Sequence, residues 1–200
     1  EVWPWVKRST SDSLLLARVE GMPLASLEQG VPWDWTSFGE YLARLDGQLA
    51  VNAGFLAGHS TLRRAVMGEA ATRERATPEQ LAALEALLDR CLEEGALGFS
   101  TSLAPTHLDD EARPVPSRRA SREEILALRR VAGRRPGTVL EMVPPVDPFP
   151  ESLVELMIEM SLAARRPLNW NVLNVSAAAR ELYEGQLAAS DAAARRGARI

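Results

Sequence analysis

Short apolar runs alternate with longer segments of helical periodicity along most of this chain, and this alternation limits what it can fold into. Runs of strand length are predicted at residues 49–56, 96–102, 138–143 and 168–172. Each is followed by a stretch in which apolar residues recur every three or four positions, as on one face of a helix. Such alternation favours a parallel sheet with right-handed crossovers, so we predict an α/β fold of four βα units.

Two architectures fit four consecutive βα units: an open, doubly wound sheet and half of a (β/α)8 barrel. The predicted strands start roughly 30 to 47 residues apart, near the spacing that about 250 or more residues give over eight units. No GxGxxG or Walker A phosphate loop follows a strand, which removes the commonest reason for an open nucleotide-binding sheet. We therefore predict part of a TIM-type (β/α)8 barrel over residues 49–200.

Residues 1–48 are predicted to be an extended, Trp- and Pro-rich connection that includes a short helix. Ser37 and Glu40 are placed as the capping box of that helix. The tryptophans are expected to pack over the barrel rim; they are Trp3, Trp5, Trp33 and Trp35. The sequence opens without methionine and stops where an apolar run begins, so we expect a piece of a longer protein.

Two later helices carry start signals. Thr77 is placed as the N-cap of a helix over residues 78–94, with proline at its first position and glutamine at its third. Ser121 is placed as the next N-cap, and we expect Glu124, three residues on, to bond back to the Ser121 amide as a capping box. The Arg-rich stretch at 113–135 around this helix is predicted to be a solvated face.

The composition excludes several classes of partner. A net charge of −4 and a pI near 5.4 argue against nucleic acid and anionic membranes, which need clustered positive charge. No apolar run reaches membrane-spanning length. The single cysteine, Cys91, excludes an internal disulfide and a cysteine-based structural zinc site, and its helical register predicts burial. We expect a cytoplasmic protein that acts on a small molecule, while the sequence predicts no oligomeric state.

Polar residues at the ends of the predicted strands are the candidates for chemistry, because active sites of βα barrels form at the carboxyl ends of their strands. This filter selects a pocket that binds substrate: His59, Arg63, Ser100, Thr101, His107, Glu141, Asn169 and Asn171. Glu141 interrupts an apolar strand, where a carboxylate is costly unless it is paired, protonated or metal-bound. Asn169 and Asn171 alternate along one strand and therefore share a face.

Both histidines and one arginine follow strands closely. His59 and His107 are placed to act as ligand, proton carrier or hydrogen-bond donor, or else to tether a loop. Arg63 could clamp a substrate carboxylate with paired N–H donors, or anchor its loop to an acidic neighbour. The loop over 103–120 is too long for a simple connection, so we predict a lid or pocket wall. It also carries two acids that we expect to be solvated, Asp109 and Asp110.

Several phrases resemble the N-acyl-D-amino-acid deacylase (D-aminoacylase) branch of the amidohydrolase superfamily. Residues 30–35 read GVPWDW and resemble the family's helix-entry segment. Residues 58–68 read GHSTLRRAVMG and are similar to its GHGTLRxxVMG phrase, and residues 95–101 read GALGFST and are similar to its GALGxSTGL phrase. The likeness extends from about residue 15 to residue 133.

The resemblance implies a (β/α)8 barrel in which zinc or another divalent metal activates water to cleave the amide of an N-acyl-D-amino acid. It also implies that most metal ligands and the catalytic aspartate lie outside residues 1–200. The family has a metal-binding histidine on each of the strands that correspond to 138–143 and 168–172, whereas this chain has Glu141 and the two asparagines there. The alternative is a repurposed barrel that binds a small molecule without metal chemistry.

Overall fold

Four parallel strands lie side by side in chain order in the structure, a computed structural model that describes residues 23–32, 34–108 and 112–200. They are β1 (Ala57–Gly58), β2 (Gly98–Ser102), β3 (Val139–Val143) and β4 (Leu168–Trp170). Every neighbouring pair is parallel. The order never reverses, as it would in a doubly wound sheet, and it is the order of successive strands in a βα barrel.

The helices of the described residues follow the predicted alternation. They are α1 (Leu24–Gly30), α2 (Phe38–Leu45), α3 (His59–Met67), α4 (Pro78–Glu93), α5 (Arg122–Arg134), α6 (Glu151–Ala164) and α7 (Arg180–Arg195). The predicted capping box of α4 is complete: Thr77 Oγ1 accepts from the Gln80 amide at 3.2 Å, and Gln80 Oε1 accepts from the Thr77 amide at 2.9 Å. None of these helices is long and apolar enough to cross a membrane.

The sheet has one face against the helices and one facing away from them. Phe99, Leu140 and Leu168 belong to the core that the strands share with α3 to α6, and each is at most 2% exposed. Cys91 of α4 lies in the same core, as predicted, and burial raises the pKa of its thiol to about 12. On the opposite face, which we call the inner face, Val139 is 48% exposed.

The first predicted strand is wrong. Residues 49–54 form no strand, and Val51 is 74% exposed. The pairing segment is only Ala57–Gly58, preceded by a single bond in which the Leu97 amide donates to the Phe55 carbonyl at 2.8 Å. A glycine at position 54, whose added Cβ would lie 2.2 Å from the Leu97 side chain, interrupts the apolar run that the sequence pattern took for a strand.

The N-terminal segment is described from residue 23. Trp35 is buried and packs edge-on against Tyr41, with ring centroids 5.5 Å apart. Ser37 caps α2 as predicted, but the Glu40 carboxylate accepts from Thr36 instead of the Ser37 amide. The remaining predicted rim tryptophans, Trp3, Trp5 and Trp33, lie outside the described residues. The division of the chain at residue 48 stays a prediction.

Two helical glycines provide a matched test of packing. A Cβ on Gly133 of α5 would lie 2.4 Å from the Ala164 carbonyl oxygen of α6, whereas a Cβ on Gly185 of α7 would meet nothing within 4 Å. We expect Gly133→Ala to lower the free energy of unfolding of the full-length protein by about 1–3 kcal/mol. Gly185→Ala should raise it by about 0.5–1 kcal/mol. Equal effects in denaturant unfolding would contradict the close approach of α5 to α6.

Candidate functional site

Three oxygen-bearing side chains lie side by side on the inner face of the sheet. Ser100 pairs in register with Glu141, and Glu141 pairs with Asn169. Register partners in a parallel sheet point to the same side, on strands about 4.8 Å apart. We call Ser100, Glu141 and Asn169 the inner row. Asn169 is exposed, Glu141 is partly exposed and Ser100 is 5% exposed.

Asn171 extends the inner row just beyond β4. Its amide Nδ2 donates to Glu141 Oε1 over 3.4 Å, and its backbone amide donates to the Met142 carbonyl at 3.2 Å. The side-chain oxygen of Asn171, Oδ1, is buried and finds no hydrogen-bond partner among the residues that the structure describes. The structure therefore brings together four of the predicted site residues on one face of the sheet, three of them midway along their strands and Asn171 just past the carboxyl end of β4.

The long loop over 103–120 is tied to the carboxyl end of β2 at both of its ends. His107 Nδ1 lies 2.7 Å from Ser102 Oγ, near the start of the loop. Towards its end, Ser117 Oγ donates to the Ser102 carbonyl at 2.8 Å and the Ser117 amide donates to Ser60 Oγ at 3.2 Å. His107 is thus placed beside the inner face. The two predicted solvated acids, Asp109 and Asp110, lie outside the described residues, and the lid role stays a prediction.

A buried polar network occupies the other side of the sheet, between β2 and the helices. His59 Nδ1 lies 2.9 Å from Thr101 Oγ1, and His59 Nε2 lies 2.8 Å from Glu124 Oε1. Arg63 Nη1 donates to both carboxylate oxygens of Glu124, at 2.7 and 2.6 Å. The same arginine donates through Nη2 to the carbonyls of Ala71 and Glu74. All four side chains of this network are at most 2% exposed.

His59, Arg63 and Thr101 therefore do not line the pocket that the sequence predicted. His59 is the first residue of α3, because the chain enters the helix directly after the two-residue β1. Its ring packs against Phe99 on the helix side, with centroids 5.3 Å apart. Thr101 is one residue out of phase with Ser100 and points to the helix side. Of the two roles considered for Arg63, the structure shows the second: its side chain binds an acidic neighbour, Glu124.

Two residues that matter for the site were missed. Glu124 was expected to close a capping box, yet only the Ser121 side of that box forms, and the Glu124 carboxylate turns into the network instead. Arg129 was expected on a solvated face but is fully buried, 4.6 Å over the Phe99 ring, and donates to the Phe99 and Glu141 carbonyls. Its helical register with Ile125 and Ala132 was the available signal, since both are core residues.

The network keeps Glu124 ionised despite its burial. Desolvation opposes ionisation, but hydrogen bonds and charge from His59 and Arg63 outweigh it and hold the pKa of Glu124 below its ordinary value of 4.5. Nε2–H of His59 donates to Glu124 whether the ring is neutral or protonated, and the Thr101 hydroxyl bonds to Nδ1 as its donor or its acceptor accordingly. The Arg63 guanidinium then provides the charge that balances the carboxylate.

Glu124→Gln should destabilise the full-length protein by about 3–5 kcal/mol, because it leaves Arg63 buried without a counter-charge. Since the folded-state pKa of Glu124 is lowered, its stabilisation is present above 4.5 and is lost as the pH falls through the folded-state pKa. Below about pH 4.5 the wild type should therefore lose stability more steeply than the variant as the pH falls. Denaturant unfolding at several pH values measures both effects.

The exposed neighbour Glu123 provides the control for this prediction. Glu123→Gln should change the free energy of unfolding by less than about 0.5 kcal/mol. If the two variants behaved alike, the buried network would not stabilise the fold. A Glu124→Gln protein that fails to accumulate beside a soluble Glu123→Gln protein would support the prediction.

Comparison with known proteins gives the family of the chain. Residues 11–198 match the sequence model of the Amidohydrolase family. The D-aminoacylase of Alcaligenes xylosoxydans xylosoxydans is 37% identical over 105 residues, which make up 52% of this chain and 19% of that protein. The match to the family model extends well past residue 133, which is where the resemblance of the short sequence motifs ends.

Two solved structures resemble the fold. A D-aminoacylase studied for the role of its binuclear metal center matches with a TM-score of 0.60 and 28% identity, over 86% of this chain and 35% of that one. The N-acyl-D-glutamate deacylase of Bordetella bronchiseptica, solved with zinc and a phosphonate inhibitor, matches with a TM-score of 0.65 and 23% identity, over 100% of this chain and 38% of that one. The chain thus spans well under half of these relatives. Its fold is part of a (β/α)8 barrel, and it belongs to the amidohydrolase family.

Proposed function

We propose that the full-length protein hydrolyses a non-peptide C–N bond, the amide of an N-acyl-D-amino acid or a related small amide. Family membership and the 37% identity to a D-aminoacylase support this proposal. The observation that carries it is the inner row with Asn171, which lies just past the carboxyl end of β4 and bonds to Glu141 on the sheet face away from the helices. Enzymes of this fold react at the carboxyl ends of their strands. The role we propose for the inner row, with Asn171 and His107, is to bind and orient the substrate.

The described residues do not fit a zinc site. Zinc prefers imidazole nitrogen and thiolate sulfur, yet both ring nitrogens of His59 bond within the helix-side network and Cys91 lies in the core. The other histidine, His107, bonds to Ser102 through Nδ1. Within the described ranges, no group of three His, Cys, Asp or Glu residues is arranged to hold a metal ion. Ligands for a divalent metal, zinc by resemblance to the relatives, would therefore come from other parts of the full-length protein.

The polar side chains of the inner face also favour a second function. The strands on which the resemblance implies metal-binding histidines carry a carboxylate and amides here, a combination that binds small polar molecules through hydrogen bonds. We therefore keep as the alternative a repurposed barrel that binds a small molecule without metal chemistry. Under either function, a cytoplasmic location and the absence of nucleic-acid or membrane partners stay predictions.

Metal analysis combined with a hydrolysis panel on the full-length protein separates the two functions. We expect bound divalent metal and release of free amino acid from N-acetyl-D-amino acids, with the L-enantiomers cleaved at least about tenfold more slowly. Removal of the metal by a chelator should abolish hydrolysis, and zinc should restore it, because metal-activated water is the family's nucleophile.

The opposite results are equally informative. Protein that contains no metal and cleaves none of the acylated amino acids, yet binds them, would support the repurposed barrel. Protein that contains metal but cleaves only other amides or esters would retain the hydrolase class and overturn the proposed substrate.

A further inference from the structure

Glu141 presents a carboxylate that no positive side chain of the described residues neutralises. It accepts one hydrogen bond, from Asn171 Nδ2, and takes part in none of the ion pairs within residues 23–32, 34–108 and 112–200. Arg129 approaches the same residue from the helix side, but it donates to the Glu141 backbone carbonyl at 2.9 Å. By contrast, the buried carboxylate of Glu124 is fully paired.

Neutral groups that can both accept and donate hydrogen bonds flank this carboxylate. Ser100 and Asn169 lie on either side of Glu141 in the register of the sheet, and contribute a hydroxyl and an amide carbonyl. One negative charge flanked by neutral oxygens complements a single positive charge with several N–H donors, such as a protonated amine with three. A charge-assisted hydrogen bond between an ammonium and a carboxylate is roughly twice as strong as one between neutral groups.

A divalent ion fits the same residues less well. Hard cations such as Mg²⁺ take about six oxygen ligands and need their charge balanced, commonly by more than one carboxylate. Glu141 is the only acidic residue of the inner row, and within the described ranges no metal-binding group of three His, Cys, Asp or Glu residues is found. A monovalent ammonium needs only the one charge that is there.

We propose that the inner row binds a cationic group of the substrate, with Glu141 as its counter-charge, so that the preferred substrate carries a protonated side-chain amine. That the bound molecule is an amide which the protein cleaves rests on the proposed function. That the inner row binds a cationic group does not depend on it. Glu141 then determines specificity, while Ser100 and Asn169 supply neutral hydrogen bonds to the same group.

Paired ligands that differ only in the charged group test this proposal on the full-length protein. The probes are N-methanesulfonyl-D-lysine and N-methanesulfonyl-D-norleucine, which have no amide carbonyl to hydrolyse, and calorimetry measures their binding. The wild type should bind the lysine compound roughly tenfold more tightly or better, as expected for hydrogen bonds to a charged group. Glu141→Gln should remove most of that difference, whereas Glu85→Gln on α4, in the helical layer, should keep it.

Each other outcome counts against the proposal. Equal binding of the two probes by the wild type, no binding of either, or an equal loss of both in a folded Glu141→Gln protein would overturn it. Mn²⁺ binding that Glu141→Gln abolishes would assign the site to a metal instead. A tenfold preference for the lysine probe together with no hydrolysis of N-acetyl-D-lysine would overturn the proposed function and leave the cation site standing.

Discussion

A single buried carboxylate connects the elements that meet at the carboxyl end of this sheet. Glu124 of α5 binds Arg63 and His59 of α3, and His59 in turn contacts Thr101 of β2. Arg63 also binds carbonyls in the turn that follows α3. Because an unpaired charge is costly in a protein interior, each of these elements depends on the others being in place. The network thereby holds the carboxyl end of β2 in place from the helix side of the sheet.

The position of the network determines which polar residues are free for chemistry. Because side chains alternate along a strand, Thr101 points to the helix side and Ser100 to the inner face. Adjacent residues of β2 therefore contribute to the buried network and to the candidate site. The phrase that carries the family resemblance, with His59 and Arg63, belongs to the structural side. Glu141 and Asn171, where the chain departs from the family, belong to the inner face. We propose that the departure affects binding chemistry, while the residues of the buried network stay in place.

Local signals in the sequence predicted the fold well, and long-range partners account for what they missed. The cap and length of α4 follow from neighbouring residues, so the pattern was sufficient. The Ser121–Glu124 pattern matches a capping box as well as the Thr77–Gln80 pattern does. The Glu124 side chain nevertheless binds partners that lie 61 and 65 residues away in the sequence. No local pattern distinguishes the two cases. The short β1 was missed for a similar reason, since its length depends on its pairing with β2.

The coupling between Arg63 and Glu124 tests the central claim most directly. A double-mutant cycle with Arg63→Met, Glu124→Gln and the double variant, measured by denaturant unfolding of the full-length protein at pH 7, gives that energy. The buried ion pair predicts a coupling of about 2 kcal/mol or more, with the double variant more stable than the sum of the single effects allows. Additive effects would show that the two side chains do not depend on each other, and would contradict the account.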